Sequence, residues 1–113
     1  MKCEELEMIV KKHELWLAGS EFGEQADLSG ANLEDCFLKN VNLRKSNLSG
    51  ATLNGANLEN ADLSDANLKG TYMQCVDLSG ADLSHANLQG ADLYDTFIEN
   101  VNLADSNVFE VKW

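Results

Sequence analysis

The sequence predicts an all-β solenoid closed at its N-terminal end by a short α-helix, with residues 1–25 as helix and connector and 26–113 as the solenoid. Three observations carry this reading. From Ala26 to Glu110 run seventeen consecutive five-residue units, with leucine almost always in third place and no slip of phase, as in Ala56-Asn57-Leu58-Glu59-Asn60 and Ala61-Asp62-Leu63-Ser64-Asp65. The first residue of each unit is small, alanine nine times in the seventeen. The run is preceded by a stretch with helical spacing of apolar residues. An internal repeat of this kind decides the architecture before any local propensity does.

The five-residue period fits neither regular structure taken alone. On an α-helix five residues advance about 140° net, so the leucines would scatter around the cylinder and form no buried stripe. On one straight strand an odd period throws successive leucines to opposite faces. A chain that turns a corner at every unit satisfies the pattern. The first and third residues, two apart on a short extended segment, then both point inward. The second points out, and the last two make the turn. One large and one small inward residue per side fills a narrow tube.

The corners carry a second signal. At every other unit the fifth residue is Gly30, Asn40, Gly50, Asn60, Gly70, Gly80, Gly90 or Asn100, the types that tolerate positive φ. The intervening corners are Asp35, Lys45, Gly55, Asp65, Cys75, His85, Asp95 and Asp105. This alternation predicts two corner geometries and so an even number of sides per coil. The glycines at 30, 50, 70 and 90 point to a twenty-residue, four-sided coil, although periodicity leaves other even numbers open.

Residues 3 to 18 read as the helix: Leu6, Ile9, Val10, His13 and Leu17 fall on one face, Glu4 and Glu5 lie in the first turn, and Lys11 and Lys12 come later. Gly19 stops it at a left-handed position. The connector to Gln25 has Phe22 as its apolar anchor.

The totals narrow the function classes. A chain of 113 residues with 44% apolar residues and no proline is one folded unit. Its net charge of -11, spread along the chain, repels nucleic acid and anionic membrane surfaces, so neither is an expected partner. There is no secretory start and no window of eighteen apolar residues, and a cytoplasmic location is the default expectation. Cys3, Cys36 and Cys75 are odd in number and match no disulfide or zinc spacing, which predicts free thiols, with Cys36 inward and Cys75 outward.

The chain resembles the pentapeptide-repeat family, whose pattern is Ala, then Asp or Asn, then Leu and two variable residues; eight of the seventeen units match it strictly, among them Ala26-Asp27-Leu28, Ala81-Asp82-Leu83 and Ala91-Asp92-Leu93. The resemblance implies a right-handed quadrilateral β-helix of four units per coil, hence about four coils, roughly 20 Å of stack at about 4.8 Å per neighbour. It also implies that the segment around His13-Glu14-Leu15-Trp16 caps the first coil.

Candidate sites follow from departures from the pattern. Phe37, Tyr72 and Phe97 stand where Asn or Asp normally faces solvent, and Tyr94 lies close by; exposed aromatics are favoured interface anchors, and all four are candidates for contact with a protein partner. At the other end Phe109, Val111 and Trp113 form a second cluster, with Val111 and Trp113 in inward phase, and predict self-association of the C-terminal coil as a homodimer. Four units per coil would stack Lys45, Asp65, His85 and Asp105 in one column, a solvated charge ladder in the ordinary reading and a pH-sensitive or metal-binding patch in the sharper one. Asp62 and Asp82 stack as like charges in another. His13 packs in the helix lid or faces solvent. No catalytic, cofactor or metal constellation is visible. A leucine-filled tube leaves no substrate pocket, so the expectation is a non-catalytic interaction module. The alternative, implied by family members that confer fluoroquinolone resistance, is a DNA-mimicking protein that binds DNA gyrase.

Overall fold

The computed structural model describes residues 3–113, with principal extents of 39 × 29 × 22 Å. A 3-10 turn, Cys3–Glu5, leads into helix α1, Leu6–Leu17. Everything from Ala26 onward is a solenoid in which residues twenty apart pair in parallel, from Asp27 with Asn47 to Asp92 with Lys112. Each pairing is a single bridge, because the extended part of a unit is too short to make a longer strand. Twenty residues are four units, so the tube has four faces. The first face begins at unit 26–30, the second at 31–35, the third at 36–40 and the fourth at 41–45. The first coil is residues 26–45, the second 46–65, the third 66–85 and the fourth 86–105.

The inward pair predicted from the pattern forms the core. The third-position leucines from Leu28 to Leu88, with Met73, are almost wholly buried, and the small first-position residues fill the spaces between them. Ser46 Oγ is buried there with no hydrogen-bond partner. Thr71, in the equivalent place, donates its hydroxyl to Leu68 O at 2.9 Å.

Every backbone N–H of a regular unit has a place to go, and the accounting explains the repeat. In the unit 26–30, Leu28 N–H donates to Asn47 O of the next coil at 2.7 Å and Gly30 N–H to Ser49 O at 2.9 Å. In the unit above, Asn47 N–H donates back to Ala26 O at 3.0 Å, and Ala51 N–H closes the turn on Leu48 O at 3.0 Å. The fourth N–H is left over. The side chain at the second position accepts it: Asn47 Oδ1 takes the N–H of Ser49 at 3.1 Å, Asn57 that of Glu59 at 2.9 Å and Asp82 that of Ser84 at 2.9 Å. Asn or Asp at the second position is thus an acceptor for its own turn, the side chain reaching two residues on.

The expected alternation of two corner geometries is not what the structure has. All seventeen fifth positions take positive φ, between +57° and +74°, including Asp35, Lys45, Asp65, Cys75, His85, Asp95, Asp105 and Glu110. The corner bonds enforce this conformation regardless of residue type. His85 N–H, for example, reaches Ala104 O at 2.9 Å as Gly30 N–H reaches Ser49 O.

Helix α1 lies against the first coil through Leu6 and His13, both buried, with Ile9 and Val10 packed beside them. His13 is a two-sided fastener. Its Nδ1 accepts the N–H of Ala26 at 2.9 Å, so the ring is neutral with its proton on Nε2, which donates to Arg44 O at 2.6 Å. Gly19, at φ +80°, ends the helix as expected, with its N–H on Trp16 O and the Ser20 N–H on Leu15 O. The connector differs from expectation. Phe22 is 75% exposed and anchors nothing. The close contact is at Gly23, where a Cβ would run into the backbone of Trp16.

The cysteines are the second correction. Cys3 and Cys36 form a disulfide with Cα atoms 5.5 Å apart, tying the 3-10 turn to the third face; Cys75 alone is free, and it is exposed. Sequence spacing could not reveal the bond, because the tube and the lid meet only in three dimensions.

Candidate interaction surface

Phe37, Tyr72, Tyr94 and Phe97 are all more than half exposed. The fold places them unequally. Phe37, Asn57, Asp77 and Phe97 form one column on the third face, so two rungs separate the two phenylalanines. Tyr72 lies on the second face, directly under Asp92. Tyr94 sits at the turn between these faces, and its N–H is held by Asp92 Oδ1 at 3.1 Å. Tyr72, Tyr94 and Phe97 therefore gather around one edge of the tube in the third and fourth coils, while Phe37 stands apart in the first.

Each aromatic at a second position removes the acceptor that its turn uses. Among the described residues, the N–H groups of Lys39 and Glu99, two residues after Phe37 and Phe97, have no such side chain to donate to. After Tyr72 the loss is made good from the coil before, where Asn54 Oδ1 accepts the Gln74 N–H at 2.8 Å.

Phe37 also lines a groove of about 680 Å³ between α1 and the first coil, together with Leu6, Val10, Leu38 and Val41. Glu4, Glu7 and Glu14 stand on its helix side and Lys11 and Lys39 beside them; Lys39 Nζ is 3.4 Å from Glu59.

The last coil carries the other predicted cluster. Phe109 and Trp113 are more than half exposed and Val111 is partly buried. Ile98 and Val108 are also exposed there.

The charge columns are as stacked, and weakly engaged. His85 Nε2 lies 3.8 Å from Asp105 Oδ2, both largely in solvent. Asp62 and Asp82 are bridge neighbours, and each takes a serine hydroxyl, Ser64 or Ser84, at 2.6 Å. The Ser84 hydroxyl, then its N–H and more weakly His85, hold the Asp82 carboxyl below its ordinary value; Ser29 does the same for Asp27. Among the described residues no three His, Cys, Asp or Glu side chains gather as a metal-ligand set, and no helix is long and apolar enough to cross a membrane.

Three features escaped sequence reasoning: the turn-holding part of Asn and Asp, the His13 fastener and the Cys3–Cys36 bond. The first had a signal in the recurrence of Asn or Asp three residues before most corners. The other two depend on where the helix lands.

The family model described as pentapeptide repeats matches residues 24–60 and 61–100. Among solved structures, a pentapeptide repeat protein from the Arabidopsis thaliana thylakoid lumen is 32% identical with a TM-score of 0.73, covering 75% of this chain and 59% of its own. A pentapeptide repeat protein (Rfr23) from the cyanobacterium Cyanothece 51142 is 33% identical with a TM-score of 0.52, covering 80% of this chain and 66% of its own. HetL from Nostoc, described as involved in heterocyst differentiation regulation, is 26% identical with a TM-score of 0.50 over 80% of this chain and 60% of its own. The chain thus spans about six-tenths of the length of these relatives. No curated protein matches it.

Proposed function

Because the chain belongs to the pentapeptide-repeat family, we propose that it is a non-catalytic interaction module: a right-handed four-sided rod of about four coils, lidded at one end by α1, that holds exposed aromatics in fixed register for a protein partner. The observation that carries this is the placement of Phe37, Tyr72 and Phe97. Each occupies a position where the regular residue would stabilise its own turn, and each ring lies in solvent instead. A hydrogen bond forgone, at Phe37 and Phe97, and an apolar surface left wet, at all three, both oppose stability. A contact outside the chain accounts for them. The leucine-filled interior supports a non-catalytic role, since it leaves no room inside the tube for a substrate.

The test is affinity capture from native lysate with the intact chain and with Phe37→Asn, Tyr72→Asn and Phe97→Asn combined. Partners held by the intact chain and lost by the variant support the reading; identical captures overturn it.

Self-association through the last coil has its own support. Phe109 and Trp113, each more than half exposed, stand there beside the exposed Ile98 and Val108. Exposed aromatic and aliphatic side chains grouped in one patch are favoured anchors for a contact between copies. Phe109 and Trp113 would be covered in such a pair. Sedimentation of the intact chain and of Phe109→Ser/Trp113→Ser tests it: a dimer that the variant dissociates supports the pairing, and a strict monomer at high concentration removes it.

The DNA-like alternative has less behind it. It asks for carboxylates along every face, and the first face carries only Asp27 and Glu110 against Lys69.

A further inference from the structure

We propose that the edge between the second and third faces in the third and fourth coils docks a cationic polypeptide segment, its Arg or Lys side chains seated on Tyr72 beside Asp92 and on Phe97 beside Asp77. The proposal rests on the interaction reading above and names the chemistry of the partner.

The geometry is a two-by-two checkerboard. On the second face Tyr72 and Asp92 are bridge neighbours, ring below and carboxylate above. On the third face the order is reversed, with Asp77 below and Phe97 above. Neighbouring rungs are about 4.8 Å apart, so each ring has a carboxylate within side-chain reach on its own face. A ring face with a carboxylate beside it favours a cation twice over, through the quadrupole and through charge. Two such pairs on adjacent faces, related across one turn, suit a chain that crosses the edge.

The surroundings agree. Asp92 is held in place, its Oδ1 accepting the Tyr94 N–H at 3.1 Å and its Oδ2 accepting Gln74 Nε2 at 2.8 Å. Asp77 is held likewise by the Ser79 N–H at 3.0 Å. Asp95 and Glu99 flank the patch at its corners, and Tyr94, between the faces, adds a third exposed ring. The nearest cation in the column is Lys112, one rung beyond Asp92. Phe37, by contrast, has Asn57 as its neighbour and the Lys39–Glu59 pair beside it, so that ring lacks the charge for the same task.

The probe is a fluorescein-labelled peptide alternating four arginines with four glycines, titrated with the full chain and followed by anisotropy. We expect saturable binding that weakens about fivefold or more in Tyr72→Thr/Phe97→Asn, which leaves the net charge unchanged, and also in Asp77→Asn/Asp92→Asn. Asp62→Asn/Asp82→Asn removes the same two charges from the fourth face and should leave binding within about twofold of the intact chain. These substitutions use residue types found at the same position of other units, so the fold is retained, which melting verifies. Absence of saturable binding, an aromatic variant that binds as the intact chain does, or equal losses from the two carboxylate pairs each overturns the proposal. Should lysate capture still depend on the aromatics in those cases, the interaction reading stands and only the cationic partner falls; loss of both removes both.

Discussion

The backbone N–H of Gln74 donates to the side chain of Asn54, one coil before it, at 2.8 Å. In a unit with Asn or Asp at its second position that N–H is held from within, as Asn87 holds Gln89 at 3.1 Å. Tyr72 stands where the acceptor would be, and Asn54 takes over. Asn54→Ala should therefore cost about 0.5–1.5 kcal/mol, the worth of one such bond, although Asn54 is a surface residue at a variable position. Urea unfolding of this variant beside Asn57→Ala, which loses an ordinary intra-unit bond to Glu59, should give similar losses. A neutral Asn54→Ala beside a costly Asn57→Ala would contradict the exchange.

The Cys3–Cys36 bond fastens the start of the lid, while His13, the Lys12 O bond to Glu24 and the Lys45 O bond to Gln25 fasten its end. Thiol titration of the native chain should find one reactive cysteine, Cys75, and three after reduction and unfolding. On reduction, or in Cys3→Ser, amide exchange should rise over Leu6 to Val10 and much less at Ala26. The loss should be at most about 2–4 kcal/mol, the range for loops of this order. Three thiols in the native chain would instead match the cytoplasmic expectation, because structural disulfides persist in oxidising surroundings.

Gly23 is required by space and not by φ. A Cβ there meets the N and Cα of Trp16, backbone atoms that cannot rotate away. Gly23→Ala should lift the connector from the helix and destabilise by about 1–3 kcal/mol, whereas Gly30→Ala, with open space around it, carries only the penalty of its left-handed φ, about 1–2 kcal/mol. Thermal melting, together with exchange at the Glu24 N–H, separates the two: only Gly23→Ala should free that amide.

The tube was legible because its cause repeats. Leucine at every fifth place decides which side is in, and seventeen units average away exceptions such as Met73 and Ile98. The corners were misread because residue preference reports the cost of a conformation, not its presence. Glycine and asparagine mark where positive φ is easiest, yet Lys45 and Cys75 adopt it too, since the hydrogen bonds between coils outweigh a penalty of about 1–2 kcal/mol each. The lid was legible as a helix and illegible as a joint. Nothing in the spacing of His13 says that its two nitrogens meet Ala26 and Arg44, and nothing in Cys3 says that it reaches Cys36.

Asp82 makes a pH prediction. Its pKa is lowered in the fold, chiefly by the Ser84 hydroxyl. A carboxyl whose folded value lies below its unfolded one stabilises above the unfolded value, and that stability is lost as pH falls through the folded value. The contribution should thus be intact at neutral pH and fade below about pH 4. Ser84→Ala should move the Asp82 titration upward in an NMR pH series; an unmoved titration would contradict the assignment.

Phe97 marks the trade proposed for the aromatic breaks, in which contact with a partner comes at the expense of the turn. The unfolding free energy of Phe97→Asn measures that trade. Asn restores an acceptor for the Glu99 N–H and removes an exposed ring, so the variant should be as stable as the parent or more stable, by up to about 1 kcal/mol. A loss of more than about 1 kcal/mol would show that Phe97 supports the fold, and would overturn that trade.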